Sequence, residues 1–486
     1  MRIATAAVLI ALAAAGFAHG ASQPSAVAVG APAGVVATIG AAPIGLSVEY
    51  PLLERDMGQT ACPPAAFVTA LRGLGAPVLR IGGDSQDQTA PAGTPPAPGV
   101  SDLEQGFWSR LGCLERETSL PIVVGINLAS GEPAWAAQIA AGARSAVPAA
   151  RLRFELGNEP DIYGARVPWS NGGALLHSPM PFAVYLSRAR AARAELGRGA
   201  QLEGPDFASG RWVAQVPSLA NALALNAIDT HFYPLAACTS GETVSAAELL
   251  SRAVQAKLFE RISLVRDARA ARLPAVVSEA NSVSCGGVAG VSDGAAAAVW
   301  GARAVLEALR AGFASIRFHS SGGRYDPFTV AGSKVTPRPL YLALRAIGPL
   351  LVPGARLEWI PGAHALNGMA LATPRTTFLS NYGSAPLWVS VSARDSALVV
   401  TVADSGPVVS RRTVHASGYA YLAHYLTGDP VLVRSGAKQL GGTFPGPAVL
   451  PNSGRVSYRG VYYRVSSFAG VRYPSGPLRV YVLAAG

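Results

Sequence analysis

Eight short β-rich runs alternate with Ala-, Leu- and Arg-rich helical stretches between about residues 40 and 320, and this alternation limits the fold more than any other feature. A closed parallel (β/α)8 barrel needs this number of strands and takes about 250 residues. An open doubly wound sheet would usually carry a glycine-rich phosphate loop after its first strand, and none follows Gly45–Pro51. The predicted strands are Ile44–Tyr50, Pro77–Gly82, Pro121–Asn127, Arg151–Gly157, Gln201–Pro205, Ala227–Phe232, Ala275–Glu279 and Ser315–His319.

The stretches between these runs are predicted to form helices. Ser292 or Asp293 is expected to cap the last of them, since both residue types accept hydrogen bonds from the first free N–H groups of a helix. The predicted helices include Pro64–Leu74, Glu132–Ala143, Phe182–Leu196, Ala246–Ala271 and Asp293–Ala311.

The pattern changes after about residue 350, where alternating short strands such as Leu387–Ser392 and Ala397–Val402 replace the helical stretches. Several short strands at regular spacing are typical of a β-sandwich. The sequence therefore predicts an α/β fold, with a (β/α)8 TIM barrel at 41–348 and a C-terminal all-β sandwich at 349–486. Residues 21–40 are apolar and favour β-structure, so we expect them to join the β-domain.

The N-terminus has one charge at Arg2, then the short apolar run Ala4–Ala15, then small residues. This order is typical of a secretory signal peptide, here residues 1–20, and the run is short for a membrane span. An uncleaved anchor is the alternative. No later segment resembles a membrane span, so we expect a secreted or periplasmic protein without stable membrane insertion after cleavage.

The four cysteines agree with export, because an even number in an exported chain indicates two disulfides. Four cysteines allow three pairings. There is no Cys-x-x-Cys pair and no Cys/His cluster, so no zinc or other metal site is expected.

The formal net charge is +11, although only 14% of the residues are charged. A basic balance favours an acidic polysaccharide or a negatively charged surface as partner. The joint enrichment in Ala, Gly and Arg makes a general composition bias the simpler explanation. No basic run is interleaved with aromatic residues, so no nucleic-acid partner is expected.

Two glutamates fall where the active sites of (β/α)8 barrels lie, at the C-terminal ends of strands. Glu159 follows the fourth run and Glu279 ends the seventh, on opposite sides of a barrel. An isolated glutamate at a strand end is often a solvated or ion-paired surface group. Glycoside cleavage, however, needs one carboxyl to protonate the leaving oxygen and a second to attack the anomeric carbon or activate water. The positions predict Glu159 as general acid/base and Glu279 as nucleophile.

The sequence around both glutamates resembles the barrel hydrolases that carry acid/base and nucleophile on strands 4 and 7. More narrowly, it resembles glycoside hydrolase family 79, the β-glucuronidase and heparanase-like group. This resemblance implies a retaining hydrolase of a β-linked uronic acid in a glycoside, oligosaccharide or polysaccharide, without a cofactor. The segments that support it are Gly45–Tyr50, Leu79–Asp87, Leu156–Asp161, Ser278–Gly287 and Phe318–Tyr325.

The resemblance also implies roles for residues around the pair. Asn158 would hydrogen-bond the sugar 2-hydroxyl, and Tyr233 would orient Glu279. Other hydroxyls of the sugar would meet three polar side chains, and the sugar carboxylate would meet a tyrosine and a nearby turn. The hydroxyl partners are Asp84, His231 and His319, and the carboxylate partners are Tyr325, Ser284 and Gly286.

The chain departs from that family after the nucleophile. Relatives place a tyrosine just before the glycine pair, where it helps to hold the uronate, but here Cys285 precedes Gly286. The loop of Cys285 neighbours the loop of Cys238 at the expected catalytic face, so we expect a Cys238–Cys285 disulfide, which leaves Cys62 to pair with Cys113.

The missing tyrosine keeps the sugar open. The alternatives are the same mechanism on a neutral β-glycoside, such as a xyloside, glucoside or galactoside, and a non-catalytic carbohydrate-binding protein on a decayed barrel. The aglycone, exo or endo action and the oligomeric state stay open as well.

Overall fold

The computed structural model describes residues 27–28, 33–95, 99–164 and 179–359, together with strands between residues 368 and 485. The predicted signal peptide, 1–20, lies outside the described residues. None of the described helices is both long enough and apolar enough to cross a membrane.

Eight parallel strands form the barrel that the sequence predicts, so this prediction is confirmed. The strands are β1 (Ile44–Val48), β2 (Val78–Ile81), β3 (Ile122–Ile126), β4 (Leu152–Leu156), β5 (Leu202–Glu203), β6 (Ile228–Phe232), β7 (Ala275–Ala280) and β8 (Ser315–Ser320). They pair in the order β6-β7-β8-β1-β2-β3-β4-β5. Backbone hydrogen bonds close the ring between the β5 and β6 segments, from Asn226 N to Leu202 O (2.7 Å) and from His231 N to Phe207 O (2.9 Å).

The barrel strands are buried along their whole length, with Arg153 in β4 as an exposed exception. Parallel strands show this pattern because helices cover one face and the barrel interior the other. Gly45 in β1 has a packing reason, since an added Cβ would lie 2.7 Å from Arg317 Cγ and 2.8 Å from Val78 O. The absence of a side chain at Gly45 therefore leaves space in the barrel for the buried side chain of Arg317.

Helices surround the barrel, and the predicted helix Phe182–Leu196 has the bounds that the sequence predicts. The α-helices are Tyr50–Met57, Ala65–Arg72, Phe107–Thr118, Pro133–Ala146, Phe182–Leu196, Val216–Leu223, Ala246–Leu249, Arg252–Lys257, Ile262–Ala270, Ala295–Ala311 and Pro339–Ile347. Single 3-10 turns are formed by Asp84–Gln88, Ala149–Arg151, Pro160–Ile162, Val213–Gln215, Leu258–Arg261 and Gly348–Leu350.

The prediction of one helix over Ala246–Ala271 is wrong, because this stretch forms three helices and a 3-10 turn. Two serines explain the interruption. Ser245 Oγ accepts a hydrogen bond from Glu248 N (3.0 Å), and Ser251 Oγ accepts one from Val254 N (3.2 Å). Each serine thus acts as an N-cap and starts a new helix where the sequence pattern alone indicates continuation.

The predicted N-cap at Ser292 or Asp293 is also wrong. Gly294 occupies the N-cap of helix Ala295–Ala311, with no side-chain cap. Both predicted side chains instead stabilise the preceding turn, where Ser292 Oγ accepts a hydrogen bond from Val288 N (3.0 Å) and Asp293 Oδ1 accepts one from Gly290 N (2.6 Å).

The C-terminal region is made of strands in a nine-stranded and a three-stranded sheet. The N-terminal strand Gly34–Thr38 pairs antiparallel with Arg356–Trp359 in the larger sheet. Its remaining strands are Gly368–Ala372, Thr376–Asn381, Ser396–Val402, Ser453–Tyr458, Val461–Ser467, Arg472–Tyr473 and Gly476–Ala485, and the smaller sheet holds Val27–Ala28, Leu387–Ser390 and Tyr419–Leu422. Short two-stranded pairs beside the barrel are Thr89–Ala90 with Ser101–Asp102, Leu235–Ala236 with Val283–Ser284, and Phe328–Ala331 with Lys334–Pro337.

Candidate active site

A cavity of about 310 Å³ lies at the C-terminal ends of the barrel strands, where parallel barrels carry their active sites. It combines carboxylates, imidazoles and tyrosines in one concave surface. The lining residues are Glu49, Asp84, Glu159, Ile162, Ala208, His231, Tyr233, Ala236, Arg261, Glu279, Ser284, Cys285, Gly286, His319, Ser321 and Tyr325.

Glu159 enters the cavity from the turn that follows β4. Its backbone is left-handed, with φ 51° and ψ 46°, a conformation that few residues other than glycine adopt. The turn is fixed on both sides, since Asn158 N donates to Asp87 Oδ2 (2.8 Å) and Ile162 N donates to Glu159 O (3.0 Å). The side chain is 11% exposed, and its Oε1 lies 2.8 Å from His231 Nδ1.

Glu279 enters from β7 and is surrounded by donors. Tyr233 Oη donates to its Oε1 (2.8 Å), and Arg80 Nη1 donates to its Oε2 (2.8 Å). His319 Nδ1 lies 3.4 Å from Oε2. Burial by itself raises the pKa of Glu279, but the positive charges of His319, His231 and Arg80, together with the Tyr233 hydrogen bond, lower it to about 2. Glu279 is therefore ionised at neutral pH although it is buried.

The two glutamates face each other closely. His231 Nδ1 lies 2.8 Å from Glu159 Oε1 and 3.8 Å from Glu279 Oε1. The two Oε1 atoms are therefore at most 6.6 Å apart, the sum of 2.8 and 3.8 Å. Retaining glycosidases hold their carboxyl groups about 5–5.5 Å apart and inverting ones about 6.5–9.5 Å apart. This upper limit includes the carboxyl separation of retaining enzymes and excludes nearly all of the range that inverting enzymes need.

Arg80 lies beneath the cavity floor and is fully buried. Its guanidinium joins side chains from several barrel strands, and its charge lowers the pKa of Asp206 and, together with His319 and His231, that of Glu279. Its hydrogen bonds go to Ser47 Oγ (2.7 Å), Glu155 Oε1 (2.6 Å) and Oε2 (2.7 Å), Asn158 Oδ1 (2.9 Å), Glu279 Oε2 (2.8 Å) and Asp206 Oδ2.

Two histidines flank the pair. Burial lowers the pKa of His231, but the charges of Glu279 and Asp206 and a hydrogen bond with Glu159 raise it well above its ordinary value. For His319, burial is likewise outweighed by Glu279 and Glu49, and its pKa is raised. Both imidazoles therefore favour the protonated form at neutral pH.

Asp84 and Glu49 form a further part of the cavity wall. Burial and then the charges of Glu49, Glu159 and Glu279 raise the pKa of Asp84 well above its ordinary value, which favours its neutral form. Glu49 accepts hydrogen bonds from Asp84 N (3.1 Å) and Ser85 N (2.8 Å), and His319 Nε2 lies 3.1 Å from its Oε1. In its neutral form Asp84 offers a hydroxyl donor beside the acceptor oxygens of Glu49.

The structure brings the residues predicted from the sequence together, with one exception. Every predicted catalytic and substrate-binding residue lines the cavity except Asn158. The Asn158 side chain is 1% exposed, with Oδ1 accepting from Arg80 and Nδ2 donating to Asp84 Oδ1 (3.4 Å). Asn158 is therefore buried behind the cavity wall and does not line the cavity.

Both disulfides have the pairing that the strand positions indicate, Cys62–Cys113 and Cys238–Cys285. The second joins the loops that follow β6 and β7, and Cys285 itself lines the cavity. The same loops are joined by the short strand pair Leu235–Ala236 and Val283–Ser284. The rim of the cavity is thus tied together next to Glu279.

Sequence reasoning missed Arg80, Glu49 and Arg261 as site residues. Arg80 could have been recognised as a charged residue inside an otherwise apolar buried strand, because a buried guanidinium needs carboxylate partners. Glu49 directly follows β1 and was recognisable by the same strand-end rule as Glu159. Arg261 has no such signal. It lies in a 3-10 turn far along the segment after β6, and its Nη2 donates to Ala208 O (2.9 Å).

Three buried carboxyl groups, those of Glu155, Asp206 and Asp229, offer oxygens within 4.8 Å of one another, a spacing that a metal ion can use. Arg80 already donates to two of them. Burial and the charges of Glu203 and Asp206 raise the pKa of Asp229 well above its ordinary value, which favours its neutral form. The described residues therefore give no reason to assign a metal to this cluster.

The fold and this arrangement define a class, the parallel (β/α)8 barrels with a carboxylate pair at the C-terminal rim. No protein-family model matches the sequence, and no curated protein matches it. Solved structures do share the fold. A 4-O-α-L-rhamnosyl-β-D-glucuronidase from Fusarium oxysporum 12S, in a complex with Rha-GlcA, has a TM-score of 0.57 at 16% identity and covers 94% of this chain and 99% of its own.

Two arabinofuranosidases are similar to the same extent. AbfB, a family 51 α-L-arabinofuranosidase from Bifidobacterium longum, has a TM-score of 0.54 at 11% identity and covers 96% of this chain and 100% of its own. A thermostable GH51 α-L-arabinofuranosidase from Thermotoga petrophila RKU-1 has a TM-score of 0.55 at 14% identity and covers 94% of this chain and 99% of its own. At these identities the likeness establishes the fold.

Replacing Arg80 by Met should lower the free energy of unfolding by about 3–5 kcal/mol at about pH 7, because Asp206 and Glu279 lose their buried counter-ion. The lowered pKa values of both acids stabilise the folded state fully above their unfolded pKa, and this contribution decreases as the pH falls from there toward the folded pKa. The deficit of the variant should therefore be clearly smaller at about pH 3 than at about pH 7. Denaturant unfolding of wild type and Arg80→Met at the two pH values measures this difference in the free energy of unfolding.

Arg266→Met is the matched control, since Arg266 pairs with Asp267 on the surface and its side chain is 77% exposed. It should leave the unfolding midpoint unchanged. An Arg80→Met protein as stable as wild type would contradict the role assigned to this guanidinium.

Proposed function

We propose that the protein is a retaining glycoside hydrolase in which Glu159 is the general acid/base and Glu279 the nucleophile. The observation that supports this most strongly is the arrangement of the two carboxyl groups. Glu279 is kept ionised by the histidines, Arg80 and Tyr233, and Glu159 faces it across the cavity with its Oε1 2.8 Å from His231 Nδ1. Double displacement needs an ionised carboxylate that attacks the anomeric carbon and a second carboxyl group close enough to exchange a proton with the leaving oxygen.

In the first step an oxygen of Glu279 attacks the anomeric carbon, and the bond from that carbon to the glycosidic oxygen breaks. The proton of Glu159 passes to the leaving oxygen, which leaves a glycosyl ester on Glu279. In the second step Glu159 accepts a proton from water, whose oxygen attacks the same carbon and releases Glu279 as a carboxylate. Two inversions give net retention of configuration.

His231 supports the change of role of Glu159 between the two steps. Before reaction, the negative charge of Glu279 raises the pKa of His231, whose Nδ1 lies 2.8 Å from Glu159 Oε1. Esterification of Glu279 removes that charge and lowers the proton affinity of His231 in the second step. The nearby Asp206, 3.4 Å from His231 Nε2, holds the imidazole in place.

For the sugar we propose a β-glucuronide, as the family 79 resemblance implies. The Fusarium structure, whose name describes a β-D-glucuronidase, matches this chain over nearly its full length. The cavity also presents positive groups to an anionic sugar, namely Arg261, His231 and His319. A neutral sugar is the second candidate, since Cys285 occupies the position of the expected tyrosine and the other similar folds are described as arabinofuranosidases. Export is part of the same proposal and is supported by the two disulfides.

Removing either glutamate should abolish most of the turnover of a 4-nitrophenyl glycoside. Glu159→Ala should lower kcat on the order of 10²–10⁴-fold, and Glu279→Ala at least as much, because no other described carboxylate takes its position. Added azide distinguishes the roles. It should give a β-glycosyl azide with Glu159→Ala, by attack on the ester, and an α-glycosyl azide with Glu279→Ala, by direct attack on the substrate.

The control is Glu195→Ala, a change of the same kind at an exposed position on helix Phe182–Leu196, outside the cavity wall. It should retain wild-type turnover. Wild-type rates in either cavity variant would refute the assignment of that glutamate.

The low pKa of Glu279, about 2, should appear in the pH profile. The nucleophile must be ionised, so kcat/KM should not fall between about pH 6 and pH 4 through loss of its charge. Tyr233→Phe removes one of the hydrogen bonds that favour the carboxylate, so its acid limb should move to higher pH. A wild-type acid limb centred near the ordinary glutamate pKa would be incompatible with the geometry.

The sugar should be identified by rates on 4-nitrophenyl β-D-glucuronide, β-D-xyloside, β-D-glucoside and β-D-galactoside. We expect the highest kcat/KM on the glucuronide, and NMR of the first product should show the β-anomer. Faster cleavage of a neutral glycoside would reject the glucuronide while leaving the mechanism intact. Release of the α-anomer would reject retention.

A further inference from the structure

A second cavity, of about 450 Å³, lies at the end of the barrel opposite the candidate active site. Its lining includes Leu152, the first residue of β4, and Gln201, which precedes β5. The active-site residues, in contrast, lie at the C-terminal ends of the strands. Catalysis as proposed above uses none of the residues that line this second cavity.

Arginines collect at this end because the barrel helices end here. Strands and helices run in opposite directions in a (β/α)8 barrel, so the helix C-termini lie at the N-terminal ends of the strands. The free carbonyl groups of a last helical turn favour a cation. The exposed arginines in or just after the last turns of helices Phe107–Thr118, Pro133–Ala146 and Phe182–Leu196 are Arg116, Arg144 and Arg198.

These three helix ends are neighbours. A Cβ on Gly112 would lie 3.3 Å from Ala146 Cα, so the first two helices pack together at this end. Arg144 Nη2 donates to Leu196 O (2.5 Å), which joins the second helix to the third. The Arg144 guanidinium also lies over the Phe154 ring, 5.4 Å from its centroid. The arginines therefore form a strip across three helix ends, with Arg144 held at its centre.

The acids of this end are buried, whereas their arginine partners reach solvent. The Arg151 side chain is 37% exposed and pairs with Glu115, which is 3% exposed. The Arg153 side chain is 47% exposed and pairs with the fully buried Glu203, which also accepts a hydrogen bond from Arg317 (2.6 Å). Solvent at this end thus meets guanidinium groups more than carboxylates.

We call the surface formed by Arg116, Arg144, Arg153 and Arg198 the basal face. In the part of the chain that the structure describes, three of these four arginines form no ion pair, and the exception is Arg153. Glu195 is the one acid in the cavity lining, whereas four carboxyl groups line the catalytic cavity. The positive charge of the chain is therefore unevenly distributed, which a general composition bias does not explain.

The exposed groups define the chemistry of a partner. A guanidinium presents parallel N–H groups that fit the two oxygens of a carboxylate. Single-stranded nucleic acids would also need rings on which bases stack. The aromatic residue of the cavity lining, Phe154, is 2% exposed beneath Arg144 and offers no such surface. Carboxylates spaced along a polymer suit the basal face better.

We propose that the basal face binds an anionic polysaccharide through its carboxylate groups. The binding surface lies at the opposite end of the barrel from the catalytic cavity, so it needs no cleavage and is independent of the proposed function. It holds the protein on an acidic polymer while the catalytic cavity stays open on the other side.

The test measures the binding of fluorescein-labelled polygalacturonate oligomers by anisotropy at low salt. The α-linked sugars of this probe are not substrates of the proposed reaction. Wild type should bind the probe, added salt should weaken the complex, and neutral dextran should not compete. The double variant Arg116→Glu/Arg198→Glu should bind at least about tenfold more weakly, because two cations of the basal face become anions.

Arg190→Glu/Arg266→Glu is the matched control. It makes the same change of charge at two exposed positions within helices, away from the basal face. It should bind the probe within about twofold of wild type. An equal loss of affinity in both double variants would overturn the basal face, because binding would then follow net charge alone. Tighter binding of a DNA duplex at the same charge concentration would overturn the polysaccharide as partner.

Two further measurements locate the binding surface. Arg116→Glu/Arg198→Glu should keep the unfolding midpoint of wild type and its rate on a 4-nitrophenyl glycoside. Polygalacturonate should not raise KM for that glycoside, and competitive inhibition would place the polymer in the catalytic cavity and overturn the proposal. Absence of cleavage of any glycoside by wild type would overturn the proposed function instead, and the anisotropy measurement would still decide on the basal face.

Discussion

The buried guanidinium of Arg80 is the interaction on which the rest of the site depends. It is fully buried in β2 and hydrogen-bonds side chains from β1, β7 and the β4 and β5 segments. Moving an ion out of water costs several kcal/mol even after relaxation, and only well-formed hydrogen bonds offset that cost. The carboxylates around Arg80 therefore cannot shift without leaving a buried charge unpaired. This constraint fixes Glu279 in place from below, while Tyr233 fixes it from the cavity side.

The same constraint contributes to the low pKa of Glu279. Glu279 sits above Arg80 between two imidazoles that favour protonation, and its pKa falls to about 2. This low pKa comes from the cations around Glu279 and not from burial, because Glu279 is only 6% exposed and burial by itself would raise it. Glu159, 8% exposed, is held by a left-handed backbone turn with its Oε1 2.8 Å from His231 Nδ1.

Much of this arrangement could be predicted from the sequence, because a parallel barrel converts strand order into position. Once Glu159 and Glu279 are assigned to the ends of β4 and β7, their opposition follows from the fold. Helix boundaries and the contacts of residues in the connecting segments could not be predicted from strand order. The breaks at Ser245 and Ser251 depend on which serine side chains find a free N–H group, and sequence periodicity does not report that. Asn158 is adjacent to Glu159 in sequence, yet Arg80 draws its amide beneath the wall.

The turn after Glu279 shows what replaces the tyrosine that the family resemblance leads one to expect. Cys285, Gly286 and Gly287 are all left-handed, with φ values of 61°, 83° and 80°. A Cβ on Gly287 would lie 2.8 Å from the Ser292 side chain and 3.1 Å from Tyr325 N, so the turn is packed directly against the segment that carries Tyr325. The disulfide to Cys238 anchors the same turn from the other side. A rim fixed at both ends has little freedom to move. The backbone of Gly286 and the Tyr325 hydroxyl, which lies 2.8 Å from Ser321 Oγ, therefore keep fixed positions at this edge of the cavity.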